Sequence, residues 1–95
     1  MSIQEIQHKI SPILRKYGIR HAAVFGSVSR GTSTTESDVD LLIKLGKPMG
    51  MFLYMRLLRE LETALGTKVD LVTDKSLNKF VKPYVMPELK TVYEE

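Results

Sequence analysis

The chain has 95 residues, of which 43% are hydrophobic and 26% are charged, and its formal net charge is +3. This length leaves room for one core, so a single domain over residues 1–95 is predicted. The absence of cysteine excludes a disulfide framework and a thiolate metal site. The sequence shows neither a signal-peptide pattern nor an apolar run of about 20 residues, so we expect a cytoplasmic protein that does not cross a membrane. The mild basic excess favours an anionic ligand and does not by itself indicate nucleic acid.

The first predicted element is an amphipathic helix, because apolar residues recur at helical spacing over residues 3–17. Ser2 and Glu5 have the S-x-x-E spacing of a capping box, which predicts where the helix begins. Gly18 predicts where it ends. Pro12 is expected either to kink this helix or to restart it.

Three strand-like runs and a second helix follow. The runs are IRHAAVF, DVDLLIKL and KVDLV, at residues 19–25, 38–45 and 68–72. The helix from about Met49 to Leu65, ended by Gly66, separates the second run from the third.

Shorter elements are predicted between and after these. A brief helix is expected to open at Ser27, and another to begin at Asp74 or Ser76. The tail after residue 80 is predicted to be mostly helical, in short pieces because it contains two prolines. The order of elements predicts an α/β (α+β) fold, a small mixed sheet of three to four strands with helices mainly on one face and the other face partly open.

Two aspartates one residue apart open the second strand. Because strand side chains alternate between faces, Asp38 and Asp40 share one face, with their Cα atoms about 7 Å apart. Asp70 has the same alternation in the third strand, so three carboxylates converge if the two strands are neighbours. Oxygen ligands of this kind suit Mg²⁺, and two such ions roughly 3.5–4 Å apart are the usual device for nucleotidyl transfer. The alternative is that Asp38 caps a strand end, Asp40 pairs with a basic residue and Asp70 is a surface residue.

A glycine-serine turn ends the first strand. Gly26 allows a sharp turn and a close approach of a ligand to the backbone. Ser27 offers a hydroxyl where a helix N-terminus would present N–H groups, and together these could bind phosphate groups. Arg30 could add a guanidinium to the same phosphates. The alternative is a plain turn followed by a solvated arginine.

The turn and the aspartates together resemble a known signature. Gly26-Ser27, ten intervening residues and Asp38-x-Asp40 resemble the G-S-x10-D-x-D motif of the nucleotidyltransferase superfamily related to DNA polymerase beta. The run FGSVSRGTSTTESDVDLLI is similar to the minimal nucleotidyltransferase (MNT) group of short prokaryotic proteins, and VDLV around Asp70 matches the place of a third carboxylate. The resemblance covers most of the chain and implies the polymerase-beta palm-like fold.

The resemblance also implies a Mg²⁺-dependent site for a nucleoside triphosphate, with ATP as the expected donor. By this likeness Gly26 and Ser27 bind the triphosphate, and Asp38 and Asp40 coordinate two metal ions. Asp70 completes the metal site and helps to deprotonate the acceptor hydroxyl, which attacks the α-phosphate and expels pyrophosphate.

Three residues between the two parts of the motif can also be compared with the MNT group. Arg30 and Ser37 match the group pattern and are candidate nucleotide-binding residues. Ser29 stands where the group often has alanine, a small departure.

The acceptor is suggested by resemblance alone. Larger members of the superfamily carry a second domain for the acceptor, so another subunit or a partner protein is expected to complete this site. Many minimal members resemble antitoxins encoded beside a HEPN-domain toxin, and some transfer AMP to a toxin tyrosine. The alternatives are an antitoxin that acts by binding alone and a small-molecule transferase of the aminoglycoside type.

The helix that starts near Met49 has more apolar positions than one buried stripe requires. Excess apolar surface on a small domain often marks a protein contact, to which methionines adapt well. The alternative is that this is simply the central core helix.

Overall fold

The computed structural model describes residues 2–26, 38–74 and 89–95. The helices and strands, in chain order, are α1 (Ile3–Lys16), β1 (Ile19–Phe25), β2 (Val39–Leu45), α2 (Met51–Leu65), β3 (Val69–Thr73) and β4 (Lys90–Glu94). None of the helices in these three ranges is both long and apolar enough to span a membrane. The short helices predicted at Ser27 and beyond Asp74 lie outside the described residues.

The strands form one mixed sheet in the order β3-β2-β1-β4. Strand β1 is antiparallel to both β2 and β4, whereas β2 and β3 are parallel. A parallel pair needs a crossover connection, and α2 provides it between β2 and β3. The predicted α/β architecture with a sheet of three to four strands is therefore confirmed.

Strand β4 corrects the prediction of a mostly helical tail. Residues 90–94 pair with β1, and Val92 is fully buried in the core. Thr91, Val92 and Tyr93 are β-branched or aromatic, so they suit a half-buried strand once a neighbouring strand is available.

Helix α1 has the residues predicted to cap its start and to end it. The Ser2 hydroxyl accepts a hydrogen bond of 3.1 Å from the Glu5 N–H. At the other end Gly18 has φ +71° and its N–H donates to the Arg15 carbonyl. The helix runs unbroken through Pro12, so the predicted restart is wrong. The reason is that residues on both sides of Pro12 pack into the same core.

Helix α2 begins at Met51, slightly later than predicted, and ends as expected. Gly66 adopts the left-handed conformation with φ +68°, and its N–H donates 2.8 Å to the Glu62 carbonyl. Both helices pack on one face of the sheet. Their fully buried side chains and those of the sheet are Ile6, Ile10, Leu14, Leu57, Leu61, Ile19, Val24, Val39, Leu41, Ile43 and Val92.

An ionic contact joins the two helices at the surface. Glu60 of α2 accepts hydrogen bonds from the Lys16 ammonium, at 2.6 Å, and from the Tyr17 hydroxyl. The Lys16 hydrogen bond is the main reason why the pKa of Glu60 is lowered, and the Tyr17 bond adds to it. Burial, followed by the contact with Glu60, raises the pKa of Tyr17.

This contact predicts a pH dependence of stability. Because the pKa of Glu60 is lower in the folded than in the unfolded state, its stabilising effect is present above the ordinary carboxyl range near 4.5 and is lost as the pH falls through the folded pKa. We expect Glu60→Gln to be less stable than the parent chain at pH 7, with the difference shrinking below about pH 4. Urea unfolding at a series of pH values measures this. Glu94→Gln, at an exposed position of β4, is the control, and a gap that stays constant down to pH 3 would contradict the assignment.

Candidate active site

The parallel pairing of β2 with β3 places two of the predicted site residues side by side. Asp40 is the direct partner of Asp70 in the register, while Val39 is paired with Val69 on the core face. Alternation then directs both aspartates to the face of the sheet away from the helices. The structure thus brings Asp40 and Asp70 together on neighbouring strands.

Asp38 lies immediately before β2, two residues ahead of Asp40. The N–H of Val39, the residue after it, donates 3.0 Å to the Lys68 carbonyl, so the start of β2 is held next to the start of β3. Asp38 and Asp70 are exposed, and Asp40 is half-buried. Solvent, or an ion, can therefore reach the outer two carboxylates.

The donor set suits a hard divalent cation, since all three side chains offer carboxylate oxygens. Among residues 2–26, 38–74 and 89–95, no three His, Asp or Glu side chains are arranged so that they could hold a metal ion as they stand.

Gly26 lies directly against Asp40. It follows Phe25, which is the partner of Asp40 in the β1–β2 ladder, and it has φ +71°. A Cβ built on Gly26 would overlap the Asp40 oxygen Oδ2 and would lie only 3.1 Å from the Asp40 Cγ. A larger residue would be strained in this backbone conformation and would have to displace the Asp40 carboxylate. The turn that was predicted to admit a ligand therefore also packs on a carboxylate.

Helix α2 fixes the outer edge of β3 on both sides of Asp70. The Tyr54 hydroxyl donates 2.6 Å to the Leu71 carbonyl, and the Val69 N–H donates 3.1 Å to the Glu62 carboxylate. Both backbone groups face away from β2, so these side chains satisfy what would otherwise be an open strand edge.

Tyr54 is also electrostatically close to the carboxylates. Burial raises the pKa of Tyr54, and the negative charge of Asp70 raises it further. The hydroxyl therefore stays protonated at neutral pH and keeps its hydrogen bond to Leu71. Sequence reasoning took Tyr54 only as one more apolar position of the helix. The signal that could have found it is its spacing of eight residues from Glu62, two turns along one helix face.

The other predicted site residues, Ser27, Arg30 and Ser37, lie outside the described residues. Their placement relative to the aspartates therefore stays a prediction.

Comparison with known sequences gives a consistent assignment. A family model described as Polymerase beta, Nucleotidyltransferase matches residues 8–95. A Methanocaldococcus jannaschii protein named as a candidate protein adenylyltransferase is 39% identical, with 93% of this chain and 95% of that protein covered. The protein adenylyltransferase MntA of Thermococcus cleftensis is 32% identical, with 94% of each chain covered.

Comparison with solved structures agrees. A chain of a toxin–antitoxin complex crystallised with AMP-PNP is similar to this one with a TM-score of 0.80 and 26% identity, over 94% of this chain and 73% of that chain. The fold that the motif implied is thereby confirmed.

The contact between Gly26 and Asp40 predicts a difference between two glycines that share φ +71°. Alanine at either position costs about 1–2 kcal/mol of backbone strain. At Gly18 nothing lies within 4 Å of an added Cβ, whereas at Gly26 the methyl group must displace the Asp40 carboxylate. We expect Gly26→Ala to lower the free energy of unfolding by more than Gly18→Ala, as measured by urea denaturation.

Gly18→Ala is the matched control, because it carries the same strain without the contact. Equal losses in the two variants would show that the Asp40 carboxylate moves aside at no cost, and would contradict the close packing of the turn.

Proposed function

This chain belongs to the polymerase-beta nucleotidyltransferase family, and on that premise we propose that it transfers AMP from ATP to a hydroxyl group of a partner protein. We further propose that the partner is a HEPN-type toxin and that the transfer neutralises it in the cytoplasm. The observation that carries the proposal is the pairing of Asp40 with Asp70, next to a glycine at which a larger residue would have to displace the Asp40 carboxylate.

Each residue of the site has a role in this proposal. Asp38 and Asp40 would hold two Mg²⁺ ions, with Asp70 as a third ligand, because their oxygens are the donors that such ions prefer. Bound there, the ions would supply charge neutralisation for the triphosphate and for the leaving pyrophosphate. The backbone at Gly26, with Ser27, would hold the triphosphate, and Arg30 and Ser37 are further candidates for nucleotide contacts.

The reaction is a substitution at the α-phosphorus of ATP. Asp70 would accept the proton of the acceptor hydroxyl, whose oxygen then forms a bond to the α-phosphorus. The bond between the α-phosphorus and the bridging oxygen breaks, and pyrophosphate leaves with that electron pair. Asp40 is half-buried against Gly26, so its carboxylate would be the most constrained of the three metal ligands.

Two similarities support a protein as the acceptor. A relative matched over almost its whole length is a protein adenylyltransferase. A solved structure of the same fold is part of a toxin–antitoxin complex and was crystallised with AMP-PNP, an ATP analogue.

The test is transfer of label from ATP that is radioactive in its α-phosphate. The chain is incubated with this ATP, Mg²⁺ and the protein encoded by the neighbouring gene, and the label on that protein is followed by gel electrophoresis. We expect the double substitution Asp38→Asn with Asp40→Asn to reduce the rate by more than about 100-fold, since even the outer partners of metal ligands are worth 10–100-fold. Removal of Mg²⁺ by a chelator is expected to have the same effect.

Asp74→Asn is the matched control. Asp74 lies at the opposite end of β3, and the hydrogen bond from its backbone N–H to the Ile43 carbonyl does not depend on its side chain. Transfer should be retained in this variant.

Neutralisation of the toxin that survives the double substitution would instead favour an antitoxin that acts by binding alone. Label on an aminoglycoside, with none on the neighbouring protein, would favour a small-molecule transferase.

A further inference from the structure

Four large apolar side chains lie exposed at the N-terminal end of α2. Phe52 exposes 94% of its surface and Met51 72%, while Leu53 and Met55 expose 44% and 42%. We call these four residues the α2 patch. They are not needed to hold the helix on the sheet, because the leucines that α2 buries in the core come later in the helix.

Positively charged residues border the α2 patch. Arg56 follows Phe52 by four residues and Arg59 follows Met55 by four, so each lies one turn further along the same side of the helix. Both arginines are exposed, as is Lys47 in the segment before the helix. Phe, Met and Arg are the residue types enriched at the centres of protein–protein interfaces.

The charges decide what kind of partner fits. In a two-fold contact between copies of this chain the same patch would face itself, which would bring the two sets of cations together. Like charges across an interface disfavour the contact. The α2 patch therefore suits a different protein, one whose apolar contact is flanked by Asp or Glu side chains.

Tyr54 connects the first turns of α2 to the strand that carries Asp70. Tyr54 lies within the same two turns, and its hydroxyl is bonded to the carbonyl of Leu71, the residue after Asp70. The charge of Asp70 is close enough to raise the pKa of Tyr54. Asp70 itself lies on the other face of the sheet, so a protein bound to the α2 patch would have to extend past the outer edge of β3 to bring its hydroxyl to that carboxylate.

We propose that the α2 patch is the docking surface for the acceptor protein, which binds it through an apolar contact with an acidic border. This inference rests on the proposed function, because it takes the acceptor to be a protein. Docking there would let this chain select its acceptor through a surface separate from the carboxylates.

The test measures binding and transfer separately. Binding of the neighbouring gene's protein to this chain is measured by titration calorimetry without ATP, and the rate of AMP transfer is measured over a range of acceptor concentrations. Phe52→Glu is expected to weaken binding at least about 30-fold, the loss typical of a central interface aromatic. It should raise the KM for the acceptor while leaving kcat, measured at saturating acceptor, near that of the parent chain.

Gln4→Glu is the matched control, because it adds the same charge at an exposed position of the other helix, α1. It should bind and transfer as the parent chain does. Thermal unfolding verifies that both variants are folded. The acidic border is tested by salt, which should weaken binding to the parent chain and have less effect on Arg56→Gln with Arg59→Gln.

The outcomes separate the docking surface from the proposed function. Unchanged affinity and KM in Phe52→Glu would overturn the docking surface, even where the parent chain transfers AMP normally. Binding that depends on Phe52 without any transfer would retain the docking surface and overturn the acceptor role. A parent chain that is dimeric, with a monomeric Phe52→Glu variant, would assign the α2 patch to a second copy. Binding to phosphatidylserine vesicles that is lost in Phe52→Glu would assign it to a membrane surface, and either result overturns the proposal.

Discussion

The parallel pairing of β2 with β3 is the constraint on which the candidate site depends. Its register places Val39 against Val69 and Leu41 against Leu71 on the core face, and thereby sets Asp40 opposite Asp70 on the other. Like charges directly opposite each other cost up to roughly 1 kcal/mol. Burial of one Val or Leu side chain contributes roughly 1.5–3 kcal/mol. The apolar face therefore holds the carboxylates together against their repulsion. A shift of the strand register by one residue would turn the apolar side chains away from the core and the carboxylates into it.

Helix α2 connects the site to the rest of the molecule in three ways. It provides the crossover that a parallel strand pair requires, and its leucines complete the core. Its polar side chains, Tyr54 and Glu62, hold the outer edge of β3 on either side of Asp70. Its first turns carry the exposed apolar surface. The same element thus holds the strand that carries Asp70 and presents the exposed apolar surface.

Local patterns were sufficient to predict most of the fold and the face on which the aspartates lie. Strand alternation assigned Asp38, Asp40 and Asp70 to their faces, and the two helix-ending glycines are local signals as well. Features that depend on distant residues were missed. Strand β4 forms because β1 offers it an edge, and the continuous course of α1 through Pro12 depends on packing against the sheet.

The contacts around the site also depend on residues that are distant in the sequence, so local patterns did not predict them. The role of Tyr54 at the edge of β3 requires knowledge of which strand lies beneath α2. The contact between Gly26 and Asp40 arises because Phe25 and Asp40 are paired across two strands. A pattern within one segment contains neither fact, although the glycine at the end of the strand already indicated a sharp turn and a close approach of a ligand to the backbone there.

The position of β4 has a consequence for how the domain assembles. Strand β1 is an interior strand, but one of its two neighbours comes from residues 90–94, which are far from it in the chain. Joining segments so widely separated costs loop-closure entropy before the contacts are gained, which slows folding. Until then β1 presents unpaired backbone groups along one side, a template on which other chains can add a strand. Truncation ahead of Lys90 would make that exposure permanent and would also remove Val92 from the core, so aggregation rather than a smaller working domain is the expected product.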